Sequence, residues 1–432
     1  MAAQPRRPAR LRGPVVSSTQ LNNPERTAWT VLLTAFTVFM LAAGGLIFGG
    51  RWWLRNASQH QSLGIVSTGT VLVRRPNRDA PEVNLTTFPV GSSISTVANA
   101  QASVTFTSPD GKNVLATLRI FGNTSVEILE AYSPRYRTGV QPHTIVIHVA
   151  SGRVRATVGV DVDRAVRVEI RSDPGAVTVL DQPGSNTTVE STFTESMVTV
   201  REGVALVTAE GQTVELGKDQ RAEVAPGATP NGPLAAEQNL VRNGDFVLPV
   251  DDTWQVARAA PAVESESPGD IDFPLIGGRR VVRLSRTGND WGRVSVTQEL
   301  NRDVQGYTSL RLNLDIILVA QDVKTCGAQG TECPLMVKIN YVDVGGGQRE
   351  WLKGFYYLYD PSFGYPYCVP CQPRFPHEQW PLAKWQPFTS ENLLDVFTAQ
   401  GTPAAQILSI TIYAEGHTFT SMAADVQLLA NE

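Results

Sequence analysis

The chain has 432 residues, of which 18% are charged, and its formal net charge is −4 at pH 7. Beyond the first 27 residues it has no cluster of lysine and arginine, which excludes nucleic-acid binding and charge-driven adhesion to anionic lipid as its main functions. Its length beyond residue 60 suits two or three domains.

The most informative segment is an uncharged run at residues 28–50, which as a helix would be roughly 34 Å long and would cross a bilayer. Residues 1–27 carry five arginines against one acid, a charge of +4. The positive-inside rule predicts a single-pass helix with a cytoplasmic N-terminus. The extracytoplasmic remainder then has a charge of −8, the total of −4 less the +4 of the tail. A cleaved secretory signal is the alternative, but its apolar core is usually about 7–15 residues, and Arg55 stands where cleavage needs a small residue.

Beyond residue 60 the composition and the periodicity favour strands. Glycine and proline are frequent, at 36 and 28 residues in the whole chain, and turn signals such as Pro109-Asp110-Gly111 separate the apolar runs. Alternation of apolar and polar residues recurs in many segments, including 102–106, 144–149, 165–170, 204–207 and 310–318. The sequence therefore predicts an all-β fold, with one short helix near residues 390–399.

The predicted domain boundaries follow from shifts in composition. Residues 225–238 are rich in proline, glycine and alanine and lack the strand period, which indicates a linker. Residues 51–65 are predicted to be a juxtamembrane linker. Two β domains are therefore predicted, at 66–224 and at 239–432, and each is large enough to bury its own core.

Short motifs recur in the first predicted domain. A strand followed by x-x-Gly-x-Val ends at Val154, a similar segment contains Gly203, and the domain closes on Leu216-Gly217-x-x-Gln220. This pattern resembles the FecR domain, a bacterial extracytoplasmic β domain best known from signal transducers that control sigma factors. The resemblance implies a β fold outside the membrane. Signalling members carry several cytoplasmic helices that bind the sigma factor, and residues 1–27, rich in proline and arginine, cannot form them.

The second predicted domain opens on Asn239-Leu240-x-x-Asn243-Gly244-Asp245-Phe246, has a central Gln298-x-Leu300, and closes on Asp425-Val426-x-Leu428. These motifs resemble the galactose-binding-like jelly rolls, a superfamily that includes many carbohydrate-binding modules. The resemblance implies a β-sandwich jelly roll that binds glycan. Many such modules hold a structural calcium between their first and last strands, which implies carboxylate ligands at Asp245 and Asp425. Either acid would otherwise end a strand in solvent.

All four cysteines, Cys326, Cys333, Cys368 and Cys371, lie in the second predicted domain. An extracytoplasmic location favours their oxidation, and local pairing would give the disulfides Cys326–Cys333 and Cys368–Cys371. The other pairings stay open, because connectivity cannot be deduced from sequence alone. A four-thiolate zinc site is a further alternative, although its close pairs are usually separated by about two to four residues and the first pair here by six.

The most aromatic stretch of the chain surrounds the second cysteine pair. Six prolines between positions 361 and 381 keep this stretch out of regular structure. Exposed rings here would form a platform for stacking sugars or for docking a protein, whereas buried rings would hold the loop against the core. The candidate ligand-binding rings are Tyr359, Phe363, Tyr365, Tyr367, Trp380 and Trp385.

The sequence has no nucleophile elbow, phosphate loop, zinc-protease helix or dinucleotide fingerprint, and neither His143 nor His148 has a catalytic partner at an informative spacing. We therefore predict a non-enzymatic, membrane-anchored binding or scaffold protein of the bacterial cell envelope, with no cofactor beyond the structural calcium. Its jelly roll would contact an envelope glycan or a partner protein. The alternatives are a structural subunit of a multi-protein membrane or surface assembly, a FecR-type envelope-sensing transducer, and a glycan-active enzyme.

Overall fold

The computed structural model describes residues 24–56, 58–60, 62–134, 141–160, 162–259 and 265–432, and at position 24 and over 52–62 it describes the backbone alone. The predicted cytoplasmic tail lies outside this range up to residue 23. Helix α1 (Pro24–Asn56) contains the uncharged run. Its apolar part, Glu25–Arg51, is long enough to cross a membrane, which suits either an anchor or a signal sequence. Its apolar side chains are exposed, for example Phe48 at 76%.

The first β region, residues 62–235, consists of strands joined by turns. A short strand at residues 58–60 precedes it. The strands up to this point in the chain are β1 (Ser58–His60), β2 (Ser62–Thr68), β3 (Val71–Arg74), β4 (Glu82–Val83), β5 (Thr87–Pro89), β6 (Ser93–Thr96), β7 (Gln101–Thr107), β8 (Val114–Ile120), β9 (Ser125–Pro134), β10 (His143–Val158), β11 (Val166–Ser172), β12 (Ala176–Leu180), β13 (Asn186–Ser191), β14 (Ser196–Glu202), β15 (Ala205–Ala209), β16 (Gln212–Leu216), β17 (Gln220–Val224) and β18 (Asn231–Ala235).

Two sheets make up the first β region, and they share the long strand β10. Their orders are β4-β3-β6-β9-β10-β11-β12-β15-β16 and β5-β2-β7-β8-β10-β13-β14-β17-β18. The first half of β10 pairs with β9 and, in parallel, with β11, and its second half pairs with β8 and β13. Alternate side chains of both sheets, such as Val104, Ile147 and Val198, form one apolar core.

Strand β10 passes from one sheet to the other at Gly152, where φ is +90°. A Cβ at this position would lie 2.4 Å from the Thr124 hydroxyl oxygen, which accepts a hydrogen bond from the Arg153 amide. Both the backbone conformation and the space therefore require glycine. The x-x-Gly motif noted in the sequence marks the point at which the strand changes sheets.

Part of the segment predicted as a linker is a strand instead. Strand β18 pairs antiparallel with β17, with Gln220 opposite Ala235 and Glu223 opposite Asn231. Pro233 is tolerated because β18 is the last strand of its sheet, and proline is compatible with an edge strand. Proline, glycine and half-exposed side chains conceal the strand period here, so composition predicted the wrong local structure for Asn231–Ala235.

The second β region, residues 238–432, contains the remaining strands and the short helix α2. They are β19 (Gln238–Asn239), β20 (Gln255–Ala259), β21 (Asp270–Asp272), β22 (Leu275–Ile276), β23 (Arg279–Arg280), β24 (Val282–Arg286), β25 (Gly292–Asp303), β26 (Ser309–Gln321), β27 (Leu335–Asp343), β28 (Gln348–Tyr356), β29 (Glu378–Gln379), β30 (Gln386–Thr389), α2 (Leu393–Ala399), β31 (Ala404–Gly416) and β32 (Phe419–Asn431). Helix α2 agrees with the helix predicted near residues 390–399 and is capped by Asn392, which accepts a hydrogen bond from the Leu394 amide.

The second β region is a sandwich of two sheets around one core. The back sheet has the order β21-β24-β32-β26-β30, with β19 beside β32, and the front sheet has the order β20-β25-β31-β27-β28-β29. Strand β27 illustrates the alternation: Val337 and Ile339 face the core, whereas Lys338 and Asn340 face outward. The prediction of an all-β fold behind one N-terminal apolar helix is confirmed.

Buried charges join the two β regions. The Arg153 guanidinium donates to the Asp303 carboxylate at 2.7 Å and to the Gln305 carbonyl at 2.6 Å, and it lies 4.2 Å from the centre of the Phe121 ring. Arg302 forms a two-point ion pair with Glu190, at 2.5 and 2.6 Å. We call this set of contacts the junction. It makes the two β regions parts of one compact body.

Candidate functional site

The structure contains the disulfides Cys326–Cys333 and Cys368–Cys371. They confirm the local pairing favoured from the sequence, and they exclude the four-thiolate zinc site because no cysteine is free. The cysteines and their apolar neighbours form a small core on the outer side of the front sheet. The other members of this core are Met336, Leu352, Tyr356 and Tyr413.

His377 fixes the end of the pinned loop, which we define as residues 358–377 around the second disulfide. Its Nδ1 accepts a hydrogen bond from the Gly354 amide at 2.9 Å, and its Nε2 donates to the Gly330 carbonyl at 2.8 Å. Burial lowers the pKa of His377 to about 4, so the ring is neutral at ordinary pH. Its ring nitrogens lie near the sulfurs of Cys326 and Cys333, but both are occupied and the sulfurs are oxidised, so this group is not a metal site.

A cleft of about 540 Å³ opens on the outer side of the front sheet beside the pinned loop. One row of residues crosses four adjacent strands at its floor, because Glu299 and Asn340 both pair in register with Ser409, and Asn340 also pairs with Glu350. The Asn340 amide donates to the Ser409 hydroxyl at 3.0 Å. We call this feature the polar cleft. Its lining residues are Glu299, Asn340, Gln348, Arg349, Glu350, Gln372, Leu408 and Ser409.

The pinned loop supplies one wall of the polar cleft. Gln372 lines the cleft and follows Cys371, whose sulfur lies 3.8 Å from the Glu350 carboxylate. Because Cys368 is buried against Leu352 and Tyr356 of strand β28, the second disulfide holds Cys371, and with it Gln372, next to this strand. No motif in the sequence marked these residues. The available signal was the run of polar side chains at outward positions of strands β25, β27, β28 and β31.

Near the start of strand β25, charged and aromatic side chains cover the outer side of the front sheet. Arg293 lies 4.0 Å from the centre of the Tyr413 ring, and the Trp291 indole donates to Glu415 at 2.9 Å. Burial raises the pKa of the Glu415 carboxyl and that of the Tyr413 phenol. Because a guanidinium covers the Tyr413 ring, this tyrosine is not free to stack on a ligand. On the outer side of the front sheet, the polar cleft is therefore the part that is accessible to a ligand.

Three of the candidate ligand-binding rings are exposed on the pinned loop. Tyr359, Phe363 and Tyr365 have 50%, 57% and 47% of their surface exposed. Tyr367 is half-buried, with its ring centre 5.5 Å from that of Tyr365 and the Arg374 guanidinium 5.3 Å from it. These rings lie on the N-terminal side of the second disulfide within the pinned loop, and their role in binding a ligand stays a prediction.

The two candidate tryptophans have different surroundings. Trp380 packs against the Phe355 ring at 4.9 Å and donates through its indole N–H to Glu378 at 3.0 Å. Trp385 is covered by the Arg279 guanidinium, 4.3 Å from the ring centre. Both rings have partners within the fold and are half-buried, whereas the three rings on the pinned loop are exposed.

The calcium ligands implied by resemblance, Asp245 and Asp425, lie near one another in the fold, because the Val426 amide donates to the Gly244 carbonyl. Arg279 donates to the Asp425 carboxylate at 2.8 Å, and Asp245 accepts a hydrogen bond from the Val247 amide. The guanidinium thus already supplies positive charge to Asp425. Calcium at this place stays a prediction.

His143 has partners that the sequence spacing did not indicate. Its Nδ1 lies 2.7 Å from the Ser133 hydroxyl, and its Nε2 lies 3.7 Å from the Asp163 carboxylate. Burial is the main cause of the lowered pKa of His143, and Asp163 opposes the shift. Ser133 is completely buried, so its hydroxyl is not presented to a substrate. We therefore interpret this trio as a structural hydrogen-bonding group.

The fold and the polar cleft define a class: an all-β protein with one N-terminal apolar helix and a two-sheet sandwich that carries a polar cleft. No protein-family model matches the sequence, and no curated protein matches it either. Among solved structures, a Parabacteroides distasonis protein provisionally described as an anti-sigma factor is 16% identical, with a TM-score of 0.24 over 34% of this chain and 66% of that one, just under two thirds of its length.

Two carbohydrate-binding modules are also similar in structure. The family 11 module of a Clostridium thermocellum cellulosomal cellulase is 13% identical, with a TM-score of 0.25 over 44% of this chain and 93% of the module. A module solved with β-1,4-galactotriose is 13% identical, with a TM-score of 0.24 over 44% of this chain and 97% of the module. Similarities this low carry no argument about what this chain binds.

Proposed function

We propose that this chain is a membrane-anchored, extracytoplasmic binding protein of the bacterial envelope whose second β region binds a glycan in the polar cleft. The observation that carries this proposal is the chemistry of the cleft lining. Amide, carboxylate, guanidinium and hydroxyl groups converge on one open cleft of about 540 Å³, and Leu408 is the single apolar residue among its described lining residues.

A sugar suits this lining better than an apolar ligand does. Each sugar hydroxyl both donates and accepts, so it can pair with the Asn340 amide and the Glu350 carboxylate at once. An apolar ligand would desolvate these groups without pairing them, at about 1–3 kcal/mol for each group. The pinned loop holds Gln372 at the wall before the ligand arrives, which lowers the entropy lost on binding.

The proposed location rests on three features of the chain. The apolar part of α1 is long enough to span a bilayer, the arginines of residues 1–27 favour a cytoplasmic N-terminus, and two disulfides suit an oxidising compartment. In this arrangement the first β region is a spacer between the membrane and the binding sandwich.

Binding is favoured over glycan hydrolysis by the spacing of the acids in the cleft. Glu299 and Glu350 lie on strands β25 and β28, three strand spacings apart, which puts their backbones about 14 Å from each other. Paired glycosidase carboxyls lie about 5–10 Å apart, so Glu299 and Glu350 could act as a pair only if both side chains extended towards each other along the row. We therefore expect no release of reducing ends when the protein is incubated with a glycan that it retains.

The exposed rings of the pinned loop support a second candidate function. Tyr359, Phe363 and Tyr365 together offer an aromatic surface that suits contact with another protein, as in a subunit of a multi-protein envelope assembly. A FecR-type transducer would need a folded partner for the tail, and that tail lies outside the described residues up to residue 23.

The test is a glycan array and an envelope-polysaccharide pull-down with the full chain in lipid nanodiscs. The variants are Asn340→Ala/Glu350→Gln in the cleft and Tyr359→Ala/Tyr365→Ala on the loop, with Gln427→Ala, an exposed residue of the back sheet, as the matched control. We expect the cleft variant alone to lose retention. Loss in the loop variant alone would move the site to the rings, and no retention by the wild-type protein would favour protein contact.

A further inference from the structure

A second cavity, of about 340 Å³, lies at the open edge of the sandwich, between strand β28 of the front sheet, strand β30 of the back sheet and helix α2. The rings of Trp351, Phe375 and Phe388 form its wall, and Leu393 and Val396 of α2 also line it. We call it the aromatic pocket. Its size falls in the range of small-ligand sites, about 300–1,000 Å³.

The aromatic pocket also has polar and charged groups close to its rings. Lys353 and Glu378 form an ion pair at 2.7 Å, and the Lys353 ammonium lies 5.8 Å from the centre of the Phe388 ring. Ser390 and Glu391 add a hydroxyl and a carboxylate to the lining. A ligand for this pocket therefore needs one apolar face and several hydrogen-bonding groups around it.

The aromatic pocket and the polar cleft lie on opposite sides of the same two segments. Glu350 lines the cleft and its neighbour Trp351 lines the pocket, because successive residues of β28 point to opposite faces. In the pinned loop, Gln372 lines the cleft and Phe375 lines the pocket. A chain-like ligand would have to cross the loop between these two residues to contact both sites.

We propose that the aromatic pocket is a second subsite for the glycan that occupies the polar cleft, and that it takes one pyranose ring. The C–H face of the ring packs on the aromatic wall, and its hydroxyls reach Lys353, Glu378 and Glu391. This inference rests on the proposed glycan-binding function. It adds that affinity rises with oligosaccharide length until the chain spans both subsites.

The test fills the pocket without removing a core side chain. Val396→Phe places a ring in the pocket from half-buried α2, and Ala399→Phe, exposed at the end of the same helix, is the matched control. Both are made in the full chain in nanodiscs, and their thermal unfolding is compared with that of the wild type. Lys353→Gln is the second variant, should Val396→Phe not fold.

Binding is measured with a length series of oligosaccharides prepared from the retained polysaccharide. We expect Val396→Phe to abolish the gain in affinity with length, about tenfold or more, and Ala399→Phe to keep it. An independent readout is the ¹⁹F resonance of Trp351 in 5-fluorotryptophan-labelled protein, assigned with Trp351→Phe, during titration with methyl glucoside, galactoside and mannoside. At least one of the three methyl glycosides should shift the Trp351 resonance.

The outcomes separate this inference from the proposed function. If the cleft variant loses binding while Val396→Phe keeps the full length dependence, the cleft binds glycan and the second subsite is wrong. If the wild-type protein binds no oligosaccharide and the Trp351 resonance stays in place with every pyranoside, both proposals fail. If the wild-type protein retains an envelope protein that Val396→Phe does not retain, and the length dependence is unchanged, the pocket holds a protein side chain. That result would overturn the glycan subsite.

Discussion

At the scale of single residues, the surroundings of His377 determine its protonation state. Its Nδ1 faces an N–H donor, the Gly354 amide, so a proton on Nδ1 would replace a hydrogen bond with a repulsion between two donors. Burial is the main cause of the low pKa of His377, which falls from 6.5 to about 4, and the Gly354 amide acts in the same direction. The native state therefore binds fewer protons than the unfolded state between these two pH values.

This pKa predicts an acid-sensitive pinned loop. Neutral His377 contributes about 3 kcal/mol to the free energy of unfolding. This contribution is complete above pH 6.5 and is lost as the pH falls through 6.5 towards 4. The direct measurement is an NMR titration of the histidine side chains in the full protein. We expect His377 to stay neutral at pH 5.5, and a His377 midpoint near 6.5 would contradict its buried hydrogen-bonded position.

At the scale of structural elements, the pinned loop depends on its short disulfide. Replacing Cys368 and Cys371 by alanine opens a loop with a sequence separation of three residues, for which we expect a loss of about 2 kcal/mol in the free energy of unfolding. Gln372 would lose its fixed position, so glycan binding should weaken several-fold. The measurement is a binding titration alongside chemical denaturation, and unchanged affinity would mean that the loop is not a wall of the binding site.

The strands could be predicted from the sequence where one face of a strand is buried. The alternation at residues 144–149 lies within β10, and that at 310–318 lies within β26, because apolar residues two apart fill one core. The short separations favoured the local cysteine pairs but left the other pairings open, and the structure decided between them. Strand β18 was missed because an edge strand needs no buried face.

The polar cleft could not be predicted for a different reason. Its floor residues, Glu299, Asn340, Glu350 and Ser409, come from four strands that are distant in sequence, and register alone aligns them. The sequence directed attention to the aromatic rings instead, and two of these, Trp380 and Trp385, have partners within the fold. A site made by register across a sheet leaves no local motif.

At the scale of the whole molecule, the junction determines whether the two β regions act as one body. Arg153 is 4% exposed and lies between the Phe121 and Tyr307 rings, at 4.2 and 4.9 Å from their centres. Removing its charge leaves Asp303, whose pKa is raised by burial, without its closest cation. Loss of one partner of a buried ion pair costs about 3–5 kcal/mol.

We expect the wild-type protein to unfold in one transition and Arg153→Met to separate the unfolding of the two β regions into two. Arg119→Met is the control, because Arg119 also lies over the Phe121 ring but is exposed. Chemical denaturation followed by circular dichroism and tryptophan fluorescence measures both variants. A single transition at the wild-type midpoint in Arg153→Met would show that the junction contributes little to the coupling.

The central claim is that the polar cleft binds glycan, and a calorimetric titration tests it most directly. The full chain in nanodiscs and its Asn340→Ala/Glu350→Gln variant are titrated with the oligosaccharide that the array identifies. Loss of hydrogen bonds to two cleft residues is worth about 1–3 kcal/mol, so we predict at least about fivefold weaker binding by the variant. Equal affinity in the two proteins, with both folded, would contradict the assignment of the site.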